Sequence, residues 1–235
     1  MKSTLDHLIV FAHSLEQGVQ WCEATLGITP APGGEHTAFG THNRLFKIAT
    51  PAFPLAYLEI IAINPGAKGP AKPNAKRWFD MDSPALRAAV VQEPRLVHFV
   101  ASTDELLPAR IALKSLGIDR GPALPASRHS RKGVLHWQIT VREDGQRLFE
   151  GALPSLIQWG KPGDGEPLRL HPRNSLPRSG VSLQSLAITH PQAAKLQAAY
   201  DAVGLGGVTL ETGPTNITAT LKTPKGEVQL QSLGI

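Results

Sequence analysis

The chain has 235 residues, 41% of them hydrophobic, and 24 Lys and Arg against 19 Asp and Glu give a net charge of +5. That is enough for a substantial core in one or two domains, and no stretch approaches the roughly 20 consecutive apolar residues that span a bilayer. The first residues pass straight into a strand pattern, and the single cysteine, Cys22, cannot form an internal disulfide, so a reducing cytoplasm is expected.

The basic residues concentrate in loops (Lys68, Lys72, Lys76 and Arg77; Arg128, Arg131 and Lys132; Arg169, Arg173 and Arg178). No nucleic-acid module accompanies them, so solvated loops are the expectation and neither nucleic acid nor membrane is an expected partner. The glycine fingerprints of nucleotide sites, the Gly-x-Ser-x-Gly elbow and Cys-x-x-Cys are absent.

A unit of strand, short helix and further strands occurs three times. In the first, residues 1–65, Leu5-Asp6-His7-Leu8-Ile9-Val10 reads as a strand. Ser14 and Gln17 have capping-box spacing, and Leu15, Val19, Cys22 and Leu26 recur on one helical face. Gly27 suits the left-handed position that ends the helix, and Cys22 is expected to pack. Strands at 44–49 and 55–63 follow. Residues 66–94 form a linker rich in Pro, Gly and Lys, with Trp78 and Phe79 placed to cover a core edge or line a pocket mouth.

The second unit, residues 95–160, opens on Leu96-Val97-His98-Phe99-Val100. Ser102 and Glu105 repeat the cap spacing, and Leu106, Leu113 and Leu116 give the buried stripe. A loop with Ser127, Arg128 and His129 and strands at 135–141 and 155–159 complete it. A second linker, 161–180, leads to a third, partial unit at 181–235. There Thr189 and Gln192 have the cap spacing, Leu196, Tyr200 and Val203 form the stripe, and a hairpin turns at Pro224-Lys225-Gly226. His190, beside the helix start, is expected at the surface. From His7 to Gly27 is 20 residues, and from His98 to Gly117 and from Ser185 to Gly204 are 19 each, so His7, His98 and Ser185 hold matched strand positions.

Strand alternation puts His7 on one face with Leu5 and Ile9, opposite Asp6, Leu8 and Val10. Glu59 interrupts an apolar run, where a lone carboxylate is unfavourable unless paired or bound to a cation. His7, His98 and Glu59 together match the two-His-one-carboxylate set that suits Fe(II) or Mn(II). Singly, each has a plainer reading: a core histidine bonded to a backbone carbonyl, a glutamate paired with Arg44 or Arg77, an interior polar residue.

The paired pattern, opening on Leu-Asp-His-Leu-Ile-Val and closing on Tyr57-Leu58-Glu59-Ile60-Ile61, resembles the vicinal oxygen chelate superfamily of glyoxalase I, extradiol dioxygenases and bleomycin-resistance proteins. Gly40-Thr41-His42-Asn43, Arg77-Trp78-Phe79 and Leu156-Ile157-Gln158-Trp159-Gly160 resemble its glyoxalase-like domain proteins.

The resemblance implies an α+β fold in which two βαβββ modules form a cup-shaped sheet, with a third module appended to buttress or cover the cup. It implies a divalent metal (Fe, Mn, Ni or Zn) on His7, Glu59 and His98, with Gln158 as a fourth ligand or substrate contact. Gln158 stands where glyoxalase I has a carboxylate, and an amide is no general base, so glyoxalase I activity proper is not expected. Further substrate contacts are expected from His42, Asn43, Trp78, Arg128 and Trp137, Arg128 being suited to a carboxylate or phosphate. The implied function is a metal-dependent lyase, isomerase or dioxygenase acting on a small oxygenated metabolite. The alternatives are a metal-free small-molecule binder and a structural protein whose cup is filled. Monomer and homodimer are both open.

Overall fold

In the computed structural model the described residues are 1–70, 75–130, 133–161 and 163–234; Lys72, Arg131 and Lys132 of the basic clusters lie outside them. The first module is β1 (Ser3–Phe11), α1 (Leu15–Leu26), β2 (Ala31–His36), β3 (Thr41–Lys47) and β4 (Tyr57–Ile63). The linker ends in a helix the sequence pattern did not reveal, α2 (Pro84–Gln92), whose proline sits in the first turn behind the cap Ser83. The second module is β5 (Arg95–Thr103), α3 (Leu106–Ser115), β6 (Ala123–Ser130), β7 (Gly133–Thr140) and β8 (Ser155–Trp159). A single turn, α4 (Pro172–Ser175), precedes β9 (Ser182–Thr189), α5 (Ala193–Val203), β10 (Thr209–Glu211), β11 (Asn216–Thr223) and β12 (Gly226–Gln231). The expected loop at Ser127 to His129 is therefore part of β6.

Helix α1 starts as its sequence dictates: Ser14 Oγ accepts from the Gln17 N–H at 3.1 Å, and Gln17 Oε1 accepts from the His13 N–H at 2.8 Å. Gly27 closes it at φ 75°. The other two cap pairs do not form, because Ser102 and Thr189 remain in strands and the helices begin later, after Glu105 and Gln192. Their free N–H groups find other acceptors. Gln158 Oε1 takes the Leu106 N–H at 3.1 Å, and His190 Nδ1 takes the Gln192 N–H at 2.9 Å. His190 is buried rather than at the surface, with Nε2 2.8 Å from Glu150.

Strand β1 pairs in parallel with β4 and antiparallel with β5, giving one eight-stranded sheet ordered β2-β3-β4-β1-β5-β8-β7-β6. The two modules are copies about the β1/β5 seam. The pairs His7↔Val100 and Ile9↔His98 are images of each other, so His7 corresponds to His98.

The third unit repeats the element order but not the pairing. Its own sheet runs β10-β9-β11-β12, with β9 between β10 and β11, whereas β1 pairs with the last strand of its module. It packs on the helix side of the large sheet, where Leu183, Leu186, Leu221 and Leu230 share a core with Leu5, Leu8, Val10 and Cys22. The Ser3 N–H donates to Gly204 O at 3.0 Å, and Tyr200 Oη to Ala152 O at 2.6 Å. This unit buttresses the cup from behind. The two linkers close the cup itself: Trp78 and Phe79 from the first, and Leu168 and Leu170 from the second, pack on Ile9, Phe11, Ile61 and Ile139. Among the described residues no helix is long and apolar enough to cross a membrane.

Candidate functional site

The register of β1 against β5 shifts between Leu5 and His7, so Asp6 is an extra, bulged residue. The bulge resets the alternation. Leu5 joins Leu8 and Val10 in the helix-side core, while His7, Ile9 and Phe11 face the cup. The expectation that Leu5 shares the His7 face is thereby corrected.

Asp6 is fully buried and accepts three hydrogen bonds. His7 Nδ1 donates to Oδ1 at 2.7 Å, while Trp159 Nε1 at 2.8 Å and His171 Nε2 at 3.1 Å donate to Oδ2. Burial alone would raise the Asp6 pKa; the electrostatic contacts with His171 and His7 and the hydrogen bonds they donate overcome it and hold the carboxyl well below the usual range. His171 Nδ1 accepts the Arg173 N–H at 3.1 Å, which fixes its tautomer.

With Nδ1 committed to Asp6, His7 presents Nε2 to Glu59 Oε2 at 3.5 Å. Its ring stacks on Tyr57 with centroids 4.5 Å apart, and the Tyr57 hydroxyl is pushed well above its ordinary pKa by burial. Glu59 is 4% exposed, and its Oε1 accepts from Asn43 Nδ2 at 2.5 Å. The Asn43 amide is oriented in turn by the Gly34 N–H, which donates to its Oδ1 at 2.7 Å. The chain comes this close because β2 is irregular at Gly33-Gly34: a Cβ on Gly33 would lie 1.9 Å from Asn43 Oδ1 and 2.5 Å from its backbone oxygen. His36, at the end of β2, brings Nε2 to 3.8 Å from Glu59 Oε1. Burial lowers the His36 pKa although Glu59 opposes it.

His7, His36, Asn43, Tyr57 and Glu59 line an inner cavity of about 50 Å³, together with Arg128 from β6. An outer chamber of about 440 Å³ lies between the β2–β3 turn and the β6–β7 strands. His36, Trp78, Trp137 and Ile139 line both. Rings dominate the boundary, with Trp78 sandwiched between Phe39 at 4.1 Å and Phe79 at 4.7 Å.

The structure thus brings together His7, Asn43, Glu59, Trp78, Arg128 and Trp137. It places His42, His98 and Gln158 outside both cavities. His42 alternates with the inward Asn43 and is only half-buried, with Glu16 of α1 among the charges acting on it. Ile157 and Trp159 line the cup, so Gln158 faces the helices, where it caps α3. The pairings Ile9↔Glu59 and Val100↔Ser155 make Ser155, not Gln158, the counterpart of Glu59 in the second module.

His98 is fully buried, and both its ring nitrogens are spent. Nδ1 donates to Gly151 O at 3.0 Å, and Nε2 accepts from the Ser155 N–H at 3.1 Å and from Arg120 at 3.2 Å. Burial and the Arg120 charge hold its pKa well below the ordinary value, so it is neutral. A divalent ion held by His7, Glu59 and His98 does not fit this arrangement. Among the described residues no group of three or more His, Cys, Asp or Glu is disposed to hold a metal ion.

Three residues of the site escaped the sequence pattern: Asp6, His36 and His171. Alternation alone places Asp6 away from the cup, because a bulge leaves no trace in the apolar pattern. His36 lies beside a glycine pair in a stretch without apolar alternation, and His171 sits in a linker with no periodicity.

The profile of the family described as "Glyoxalase-like domain" matches residues 5–204. No curated protein matches the chain. Among solved structures, a hypothetical protein from Staphylococcus aureus is similar over 98% of this chain and 85% of its own, at 15% identity and a TM-score of 0.58. A methylmalonyl-CoA epimerase from Streptomyces coelicolor matches 67% of this chain and 98% of its own at 13% identity and a TM-score of 0.39. The one from Mycobacterium tuberculosis covers 66% of this chain and 85% of its own at 15% identity and 0.35. With the family profile spanning most of its length and two βαβββ modules joined in one cupped sheet, the chain belongs to the glyoxalase-like domain family of the vicinal oxygen chelate superfamily.

Proposed function

We propose that the protein is an enzyme of the lyase or isomerase type that moves a proton on a small oxygenated metabolite bound in the cup, with Glu59 and His7 as its acid–base pair. The observation that carries this reading is Glu59 Oε2 at 3.5 Å from His7 Nε2, with the other His7 nitrogen fixed by buried Asp6. Asp6 selects the tautomer whose Nε2 lone pair looks towards Glu59 and the cavity. Glu59 takes a proton from carbon next to a carbonyl, and His7 Nε2 accepts that proton and returns it. Asn43 holds the carboxylate in place, and Arg128, which reaches the same cavity from β6, stabilises negative charge that develops on the substrate oxygen. Because His98 is committed to Ser155 and Arg120, no metal is assigned a step. A cytoplasmic location is part of the proposal and rests on the single, buried Cys22 thiol.

A second reading, a sequestering binder, is supported by the ring-lined outer chamber. The two separate in D₂O. The protein is incubated with a panel of 2-oxo acids and 2-hydroxy ketones, and the proton beside the carbonyl is followed by NMR. Exchange above background that falls on the order of 100-fold or more in Glu59→Gln is expected. Exchange equal in the variant refutes the acid–base role. Binding without exchange, unchanged in Glu59→Gln, establishes the binder.

A further inference from the structure

Two polar groups at the cup have no hydrogen-bond or ion-pair partner among the described residues. The Trp78 indole Nε1–H is buried without an acceptor, in a side chain that is 5% exposed and lines both chambers. A buried N–H left without a partner is rare and asks for one. The second is Arg128. It lines the inner cavity with His7, His36, Tyr57 and Glu59, and no described residue offers it a hydrogen bond or ion pair. Its side chain lies across Gly34, at 3.0 Å from where a Cβ would stand, so it spans the rim from β6 towards β2.

The sizes of the chambers complement these groups. The inner one, about 50 Å³, admits only a small polar head. The outer one, about 440 Å³, falls in the range of pockets that take a whole organic molecule, and Phe39, Leu124, Pro125, Ala126 and Trp137 give it an apolar wall.

We infer that the cup binds a monocarboxylic acid with an apolar, ring-sized body. Its carboxylate lies on the Arg128 guanidinium, a second oxygen accepts from Trp78 Nε1, and its body fills the outer chamber. The planar guanidinium fork matches a carboxylate in bidentate fashion. A phosphate ester is disfavoured: its double charge would sit beside Glu59 with one cation to balance it. The inference rests on the reading of the cup as a small-molecule site and supplies that reading with a substrate class. An acid of this shape would bring its proton-bearing carbon next to a carbonyl, C3 of a 2-oxo acid or C2 of a 2-hydroxy acid, before Glu59.

Binding is measured by quenching of tryptophan fluorescence in the full chain, with phenylpyruvate as the probe. Pyruvate lacks the body, 2-phenylethanol lacks the charge, and phenyl phosphate carries the alternative anion. Phenylpyruvate is expected to bind at least tenfold tighter than each of the three. Arg128→Gln is expected to weaken phenylpyruvate at least tenfold and leave 2-phenylethanol unchanged; Trp78→Phe weakens the acid severalfold. Equal binding of acid and alcohol, equal losses of both in Arg128→Gln, no binding of the acid, or tighter binding of phenyl phosphate each overturns the inference. The series is repeated in Glu59→Gln. Arg128-dependent binding there, with no proton exchange in the unsubstituted protein, removes the catalytic reading alone and leaves the ligand class standing.

Discussion

Replacing Asp6 with asparagine keeps the volume of the side chain and removes its charge. The amide oxygen can stay on Trp159 and His171, because His171 is fixed as an Nε2 donor by its bond to Arg173. The amide NH₂ must then face His7 Nδ1, which is satisfied only if His7 moves its proton to Nε2. Three charge-assisted bonds become neutral ones, a loss of about 1 kcal/mol each, or about 3 kcal/mol in all. For a chain of this size that is about 6–12 °C in Tm. Activity falls further than stability, on the order of 100-fold or more, because Nε2 now carries a proton towards Glu59 and cannot accept one.

The loss has a pH signature. Asp6 has a folded pKa below its unfolded one, so its contribution is complete above the unfolded value of about 4 and is lost as pH falls further, towards the folded pKa. Urea unfolding followed by tryptophan fluorescence should therefore show a constant gap between the protein and Asp6→Asn from pH 8 to about pH 5. The gap should narrow below about pH 4. A gap under about 1 kcal/mol at neutral pH, a gap that widens in acid, or full proton-exchange activity in the variant would refute the account of the Asp6–His7–Glu59 relay.

Other expectations follow from the same contacts. His98→Ala removes one of three acceptors of Arg120, strips the Ser155 N–H of its acceptor and leaves a void, so it should cost about 2–4 kcal/mol in urea unfolding; phenylpyruvate affinity in the cup should stay within about twofold, since the residue lines neither chamber. A ligand role for His98 would show instead as lost binding at normal stability. Gly33→Ala drives a methyl group into Asn43, so proton exchange should fall with every side chain of the site intact, and an unchanged rate would mean that the Gly33-Gly34 irregularity does not seat Asn43. Cys22 is buried in the helix-side core with its thiol pushed up to about 12 by burial. Thiol reagents should modify it only as fast as the chain unfolds; faster labelling of the native protein would contradict the packing described.

The modules were legible in the sequence because their signals are local. Apolar alternation, the Ser14 cap and the Gly27 stop fix β1 and α1 within a few residues, and the matched spacing to Gly117 exposes the second copy. Glu59 was legible for the opposite reason, as a charge where the pattern permits none. What was not legible depends on register. One extra residue at Asp6 decides which side chains enter the cup. The pairing Val100↔Ser155 moves the counterpart of Glu59 three residues from where spacing put it. The third unit shows the same limit: its element order announces a module, but β9 chose different neighbours. His98 matched His7 in sequence and in the pseudo-twofold, yet Arg120, which carries no pattern of its own, turned it into a structural residue.

The two end strands of the large sheet, β2 and β6, come together where Arg128 crosses Gly34. An open sheet ordinarily offers two free edges on which another chain can extend the ladder. Here the curl of the sheet turns one edge towards the other, and each end strand also carries a proline, Pro32 and Pro125, whose missing N–H interrupts the row of donors. The consequence is colloidal rather than catalytic. Strand-by-strand growth on the large sheet is thereby disfavoured, and any such growth falls to the end strands of the smaller sheet, β10 and β12.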